Sequence, residues 1–183
     1  MTITFVGHGY VGLVTASIFA DLGNTVYVIG HTYEKIENLK KGVLLIYEPG
    51  LEEIVRRNVK AKRLIFTLSY DKAISSSSVI FIAVGTPPKA NGEADLSTVF
   101  EVAEQIGRNL KDYAVVVTKS TVPVGTNRKI KKIIAKEVLE DAEFDIASIP
   151  EFLREGQAIS DTLHPDRIVI GTESKRGQDV LLE

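Results

Sequence analysis

Residues 2–13, Thr2-Ile3-Thr4-Phe5-Val6-Gly7-His8-Gly9-Tyr10-Val11-Gly12-Leu13, pass from a β-branched and aromatic run directly into glycines spaced G-x-G-x-x-G. Such a run reads as a strand that breaks into a helix. Gly7 permits the tight turn, Gly9 lets the backbone approach a pyrophosphate that a Cβ would exclude, and Gly12 lets the helix lie close to the strand. The free N–H groups at the helix start, those of Tyr10 and Val11 among them, then meet phosphate at the end of the helix whose dipole favours negative charge. Glycines also mark ordinary turns. Here a strand precedes, a helix follows and a second strand comes roughly twenty residues on, which is the context a dinucleotide site requires.

Outward from that turn, Val11, Val14, Thr15, Ile18 and Leu22 recur at helical spacing, and Gly23-Asn24 supplies the helix end. A strand is expected at Thr25–Ile29. A dinucleotide site places an Asp or Glu after this strand to accept from the ribose hydroxyls, and this chain has Gly30-His31-Thr32 instead. Lys35 and Ile36 fall on a helix that stops at Gly42. Residues 48–62 read as a further helix, with Pro49 in the first turn, Glu52 and Glu53 near its positive end and Arg56, Arg57, Lys60 and Lys62 near its negative end; those basic residues read most simply as a solvated face. A strand at Leu64–Thr67, a short helix from Asp71 and the apolar run Val79–Val84 continue the alternation. The last has the composition of a strand covered on both faces. Asp95 caps a helix carrying Val99, Val102, Ala103, Ile106 and Leu110, and Ala114–Thr118 is the next strand. Arg128–Glu140 is an amphipathic helix, Phe144–Ile149 a strand, and Arg167–Ile170 a last short strand before a closing helix.

Strands alternating with helices, several of them buried on both faces, give an α/β fold: a single-domain, doubly wound parallel sheet of the Rossmann type. The loops at the carboxyl ends of its strands converge on one edge. They are the glycine turn, Gly30–Thr32, Gly85–Pro88, Lys119–Thr126 and Pro150–Gly156, the least generic parts of the sequence.

Bulk properties narrow the partner. A chain of 183 residues, 44% hydrophobic, can bury one sizeable core. The formal net charge of −2 argues against nucleic acid or a membrane surface, which usually demand a basic surplus. No apolar run reaches the roughly 18 residues of a membrane span, and the N-terminus lacks a signal peptide's pattern, so the cytoplasm is the expected compartment. With no cysteine at all, the chain can form no disulfide, thiolate metal site or cysteine nucleophile.

Six segments taken together, GHGYVGLVTA (7–16), IYEPGLEE (46–53), VGTPP (84–88), KSTVPVGT (119–126), PEFLREGQAISD (150–161) and HPDRIVIG (164–171), resemble the N-terminal NAD-binding domain of the UDP-glucose 6-dehydrogenase (UDP-glucose/GDP-mannose dehydrogenase) family. The Val14-Thr15-Ala16 continuation is more similar to the UDP-glucose branch than to the UDP-N-acetylmannosamine branch. The resemblance implies oxidation of a nucleotide sugar's C6 alcohol to a carboxylate with two NAD, through a cysteine that holds the aldehyde. It implies NAD contacts along Gly7, Gly9, Tyr10, Val11 and Gly12, at Gly30, Lys35 and Thr86, and at Thr121 and Glu151. UDP-sugar contacts are implied along Glu151, Phe152, Leu153, Arg154 and Glu155, with Thr121 and Glu151 as the catalytic candidates. By residue type alone, Lys35 reads equally as a surface lysine, Thr86 and Thr121 as turn residues and Glu151 as a loop charge.

Departures from the family pattern are Gly30 for the ribose-binding Asp, Ile149 for the Asn before Pro-Glu-Phe-Leu, and Leu45 for the Pro before Ile46-Tyr47-Glu48. Relatives continue into a central helix and a UDP-sugar domain that carries the cysteine. The expectation is therefore a truncated half-enzyme, inactive alone, that forms a homo-oligomer or relies on a partner chain for the missing domain. The alternative is a non-catalytic nucleotide-binding Rossmann module. A dehydrogenase using NADP, with His31 or Thr32 against a 2′-phosphate, is disfavoured because no Arg follows the second strand.

Overall fold

The computed structural model describes residues 1–139 and 142–183. Strands β1 (Thr2–Val6), β2 (Thr25–Ile29), β3 (Leu64–Thr67), β4 (Val79–Ile82), β5 (Ala114–Thr118), β6 (Phe144–Ser148) and β7 (Gly171–Thr172) form one sheet in the order β3-β2-β1-β4-β5-β6-β7. The first six run parallel, and β7 pairs antiparallel with β6 through Ala147–Thr172 and Ser148–Gly171. Connecting them are α1 (Tyr10–Asp21), α2 (Tyr33–Lys40), α3 (Leu51–Lys60), α4 (Asp71–Ser75), α5 (Ser97–Asn109), α6 (Thr126–Glu137), α7 (Ala158–Leu163) and α8 (Lys175–Leu181).

Period-two alternation divides the strand side chains between two cores. Ile3 and Phe5 of β1, Val26 and Val28 of β2, and Phe81 of β4 pack under α1 and α3, while Val6, Ile29, Ile80 and Ile82 pack under α4, α5 and α6. Strands β4 and β5 are buried along their whole length, which accounts for the unbroken apolar runs in the sequence. The register sets Phe5 against Phe81, and their rings stack at 4.5 Å with Phe19 of α1 about 6 Å from both. Thr4, fully buried in β1, is satisfied by the carbonyl of Ala73 at 2.9 Å and by Ser77 Oγ.

Strand order reverses direction between β1 and β4. The loops leaving these two strands diverge there and open a crevice at the carboxyl edge, the position where such sheets take ligands.

Four sequence expectations change. The helix expected over 48–62 begins only at Leu51, because Gly50 takes a left-handed φ of 81° and leaves Pro49 outside the helix. Residues 167–170 make no strand; pairing starts at Gly171, and its direction breaks the all-parallel expectation. The helix expected at 128–140 starts earlier, at Thr126, and ends at Glu137, with Glu140 outside the described residues. Among the described residues, no helix is long and apolar enough to cross a membrane.

Candidate functional site

The three fingerprint glycines stand in three different surroundings. Gly7 has φ +120°, and a Cβ on it would lie 2.3 Å from the Ala83 carbonyl oxygen at the end of β4. At Gly12 a Cβ would lie 2.3 Å from the Gly7 carbonyl oxygen, so the helix can rest on the turn only without a side chain. Around Gly9 a Cβ would meet nothing within 4 Å, and its backbone, at φ −71° and ψ −174°, is one that any residue adopts. The protein leaves space at Gly9 that it does not itself use. The first helical bond of α1 runs from the Leu13 N–H to the Gly9 carbonyl at 2.9 Å, so the N–H groups of Tyr10, Val11 and Gly12 have no acceptor within the helix. Donors with free space before them, at the positive end of a helix, suit an anion.

Beside this turn, Gly30 follows β2 and donates its N–H to the Thr67 carbonyl at 3.0 Å. His8 comes within 3.1 Å of where a residue-30 Cβ would be, and its ring meets that of His31 edge-on at 5.2 Å. Burial, then the neighbouring His31 and Lys35, hold the His8 imidazole below its ordinary range. Lys35 is exposed on α2.

Across the crevice, the loops after β4 and β5 are tied together. The Thr86 hydroxyl donates to the Thr121 carbonyl at 2.9 Å, and the Ser120 hydroxyl donates to the Val84 carbonyl at 2.6 Å. Thr121 is exposed. Lys119, which turns toward the loop after β6, is pushed down by burial and only partly restored by Glu151.

The loop after β6 is internally bonded. Glu151 accepts from the Leu153 N–H at 2.7 Å; Asp161 accepts from the Arg154 N–H at 2.9 Å and from its guanidinium at 3.2 and 2.6 Å. Phe152 is 57% exposed with the Arg167 guanidinium over its ring, and Glu155 is exposed. A groove of about 510 Å³ runs from Glu151 and Lys119 under Leu153 toward Phe19 and Phe81. The buried Thr15 hydroxyl, which has no hydrogen-bond partner among the described residues, faces it.

Glu48 joins the fingerprint to this loop. It is 5% exposed, and it accepts from the Tyr10 hydroxyl, from the Gly156 N–H at 2.8 Å and from the Ile159 N–H at 3.4 Å. Burial opposes its charge, but those three donors prevail and hold the carboxyl below its usual range. Tyr10 is pushed up to about 12, by burial first and by Glu48 next.

The whole chain, residues 1–183, matches the sequence profile described as the UDP-glucose/GDP-mannose dehydrogenase family, NAD binding domain. The chain belongs to that family, as its NAD-binding domain. It is 48% identical over its whole length to the UDP-glucose 6-dehydrogenase YwqF of Bacillus subtilis, covering 42% of that protein, and 49% identical over 97% of its length to the UDP-glucose 6-dehydrogenase of Rhizobium meliloti, covering 41%. Among solved structures, a UDP-glucose dehydrogenase from the hyperthermophilic archaeon Pyrobaculum islandicum superposes with a TM-score of 0.94 at 42% identity, over 99% of this chain and 43% of that one. A ternary complex of GDP-mannose dehydrogenase from Pseudomonas aeruginosa superposes equally well at 36% identity, again over 99% of this chain and 43% of that one. The chain thus spans about two fifths of the length of the relatives it matches.

In this NAD-binding domain, the sequence-expected residues fall into three groups on one sheet edge. Gly7 to Gly12 lie with Gly30 and Lys35, Thr86 bonds to Thr121, and Glu151 to Glu155 form the third group, tied to the first through Tyr10. Sequence reasoning missed Glu48 and His8. Glu48 carried a signal, an acid set before Pro49-Gly50 and therefore outside the helix in which it was placed. His8 carried none, since the second position of G-x-G tolerates any residue.

Proposed function

We propose that this domain holds NAD across the Gly7–Gly12 turn and serves as the cofactor-binding part of a UDP-glucose 6-dehydrogenase-type oxidoreductase, with a UDP-sugar lying along Glu151–Glu155. The observation that carries this is the empty approach at Gly9 beside three N–H groups that have no acceptor within the helix, at the point where strand order reverses. A pyrophosphate fits a cradle that any side chain at residue 9 would fill. When bound, NAD supplies a hydride acceptor.

In this reading the chain's own groups bind and orient. Tyr10, Val11 and Gly12 donate N–H groups to the pyrophosphate, and Lys35 can donate to ribose hydroxyls. The Thr86 hydroxyl spends its proton on the Thr121 carbonyl, so it can meet the cofactor only as an acceptor, while the Thr121 hydroxyl is free to donate. Glu151, held toward its own loop by the Leu153 N–H and facing Lys119, serves in this proposal as the acceptor of a proton near the reacting carbon. The N–H groups of Leu153, Arg154 and Gly156 already have acceptors, which leaves those of Phe152 and Glu155, with the carbonyls, to grip a sugar.

Thioester chemistry of the kind the resemblance implies requires a thiol that none of the 183 residues supplies. A further segment or partner chain, or a homo-oligomer completed by one, supplies it in this proposal. The compartment is the cytoplasm; with no cysteine, nothing here depends on an oxidising one. A second reading, a non-catalytic nucleotide-binding module, is favoured by the loss of an acid at residue 30. Calorimetric titration of the chain with NAD and with UDP-glucose separates the two. Binding of both supports the oxidoreductase part, NAD alone supports the module, and binding of neither overturns both.

A further inference from the structure

Residue 30 is where a dinucleotide site of this fold carries an acid, which bonds the adenosine ribose hydroxyls and repels a phosphate on the 2′ position. Here that carboxylate is absent and its space is closed. A Cβ on Gly30 would come within 2.6 Å of Ile36 Cδ1 and 3.1 Å of His8 Nδ1. Nitrogen bases stand around the position instead. The His8 ring lies 5.2 Å from that of His31, Thr32 begins α2 with a hydroxyl that makes no capping bond, and Lys35 lies in the first turn of that helix.

Among the described residues, neither His8, His31 nor Lys35 is held by an acid. Of the acids on α2, Glu37 is engaged by Lys40 at 2.8 Å and Glu34 is exposed. Free donors without a competing carboxylate suit a dianion better than a diol. The Arg that usually accompanies such sites is missing, but His8 brings a base from the fingerprint itself, across the chain from His31 and Lys35.

We propose that His8, Gly30–Thr32 and Lys35 form a site for the 2′-phosphate of a phosphorylated dinucleotide, so that this chain takes NADP at least as well as NAD. The proposal rests on the fingerprint being a dinucleotide site, and the experiment keeps the two apart.

The full chain is titrated calorimetrically with NAD and with NADP at low ionic strength. The expected result is a Kd for NADP equal to or below that for NAD, with added salt weakening NADP the more. His31→Ala should weaken NADP by about ten-fold, as for one lost charged hydrogen bond, with a smaller effect on NAD. Lys35→Ala should weaken both, NADP more strongly. Gly30→Asp, combined with Ile36→Val to make room for the new side chain, should reverse the preference. If that double variant does not fold by circular dichroism, the wild-type ratio and the two exposed-residue variants still decide. NADP binding more than about ten-fold weaker than NAD would overturn the phosphate site and leave the dinucleotide reading standing. Unchanged NADP affinity in both alanine variants would overturn the assignment to these residues, and binding of neither dinucleotide would overturn the dinucleotide reading with it.

Discussion

At Gly9 a side chain would touch no other part of the protein and would require no unusual backbone, whereas at Gly12 it would strike the Gly7 carbonyl. The two glycines should therefore fail in opposite ways. Gly9→Val is expected to keep the melting temperature within a few degrees of wild type and to abolish dinucleotide binding, since its methyls would stand in the pyrophosphate's approach. Gly12→Val is expected to lower stability by about 1–3 kcal/mol through overpacking, which for a chain of this size is roughly 2–4 °C per kcal/mol. Thermal melts paired with NAD titration measure both, and a Gly9→Val protein that binds normally would refute the cradle. The spacing of these glycines was readable in the sequence because their roles follow from one strand–turn–helix geometry. Their neighbours were not. Ala83, which makes a side chain at Gly7 impossible, lies 76 residues away, and no local pattern announces which strand will pass beside the turn.

Among the elements, a buried carboxylate, Glu48, clips α1 to the loop before α7, beside a direct bond from the Gly156 N–H to the Tyr10 hydroxyl. Glu48 has a folded pKa below its ordinary value, so its contribution to stability is fully present above the unfolded carboxylate range and is lost as pH falls toward the folded value. Wild-type protein should thus lose stability on acidification from about pH 5 downward, more steeply than Glu48→Gln. At neutral pH the variant should be less stable by about 1–3 kcal/mol, the worth of charged hydrogen bonds to a buried acceptor. Parallel melts at pH 7 and pH 4 provide the check, and equal pH slopes in the two proteins would rule the clip out. Its loss should also loosen the 150–156 loop and weaken UDP-sugar binding more than NAD binding. Strand positions were legible almost to the residue, because buried parallel strands leave apolar runs bounded by turns. The expected helix over 48–62 erred at its start for a physical reason: Gly50 is left-handed, which keeps Pro49 out of the helix and leaves Glu48 turned inward to Tyr10 and Gly156. The expected strand at Arg167–Ile170 erred because β-branched residues fill extended segments as readily as paired ones, and Ile168 is 67% exposed.

For the molecule as a whole, the purified chain should form no UDP-glucuronate when given UDP-glucose and NAD. Carrying an alcohol to a carboxylate requires the intermediate aldehyde to be held between two oxidations, and a chain without cysteine has no thiol to hold it. Orientation by Thr121 and Glu151 helps only groups that are present. Appearance of UDP-glucuronate, with two NADH formed for each UDP-glucose consumed, in a contaminant-free preparation would overturn the reading. The doubly wound topology was legible from strand–helix alternation, since crossovers leave few alternatives; the antiparallel β7 was not, being two residues long. The position of β1 inside the sheet, between β2 and β4, has a further consequence for how the chain is born. Leaving the ribosome before the other strands, β1 can pair with β2 as soon as that follows, but its other edge waits for β4, and the 73 residues from Val6 to Val79 take roughly 4–15 s at about 5–20 residues per second. During that interval the nascent chain carries an apolar, unpaired strand edge open to any passing strand. Chains halted before Val79 emerges should be cut readily by added protease, and those halted after β5 has emerged should resist it.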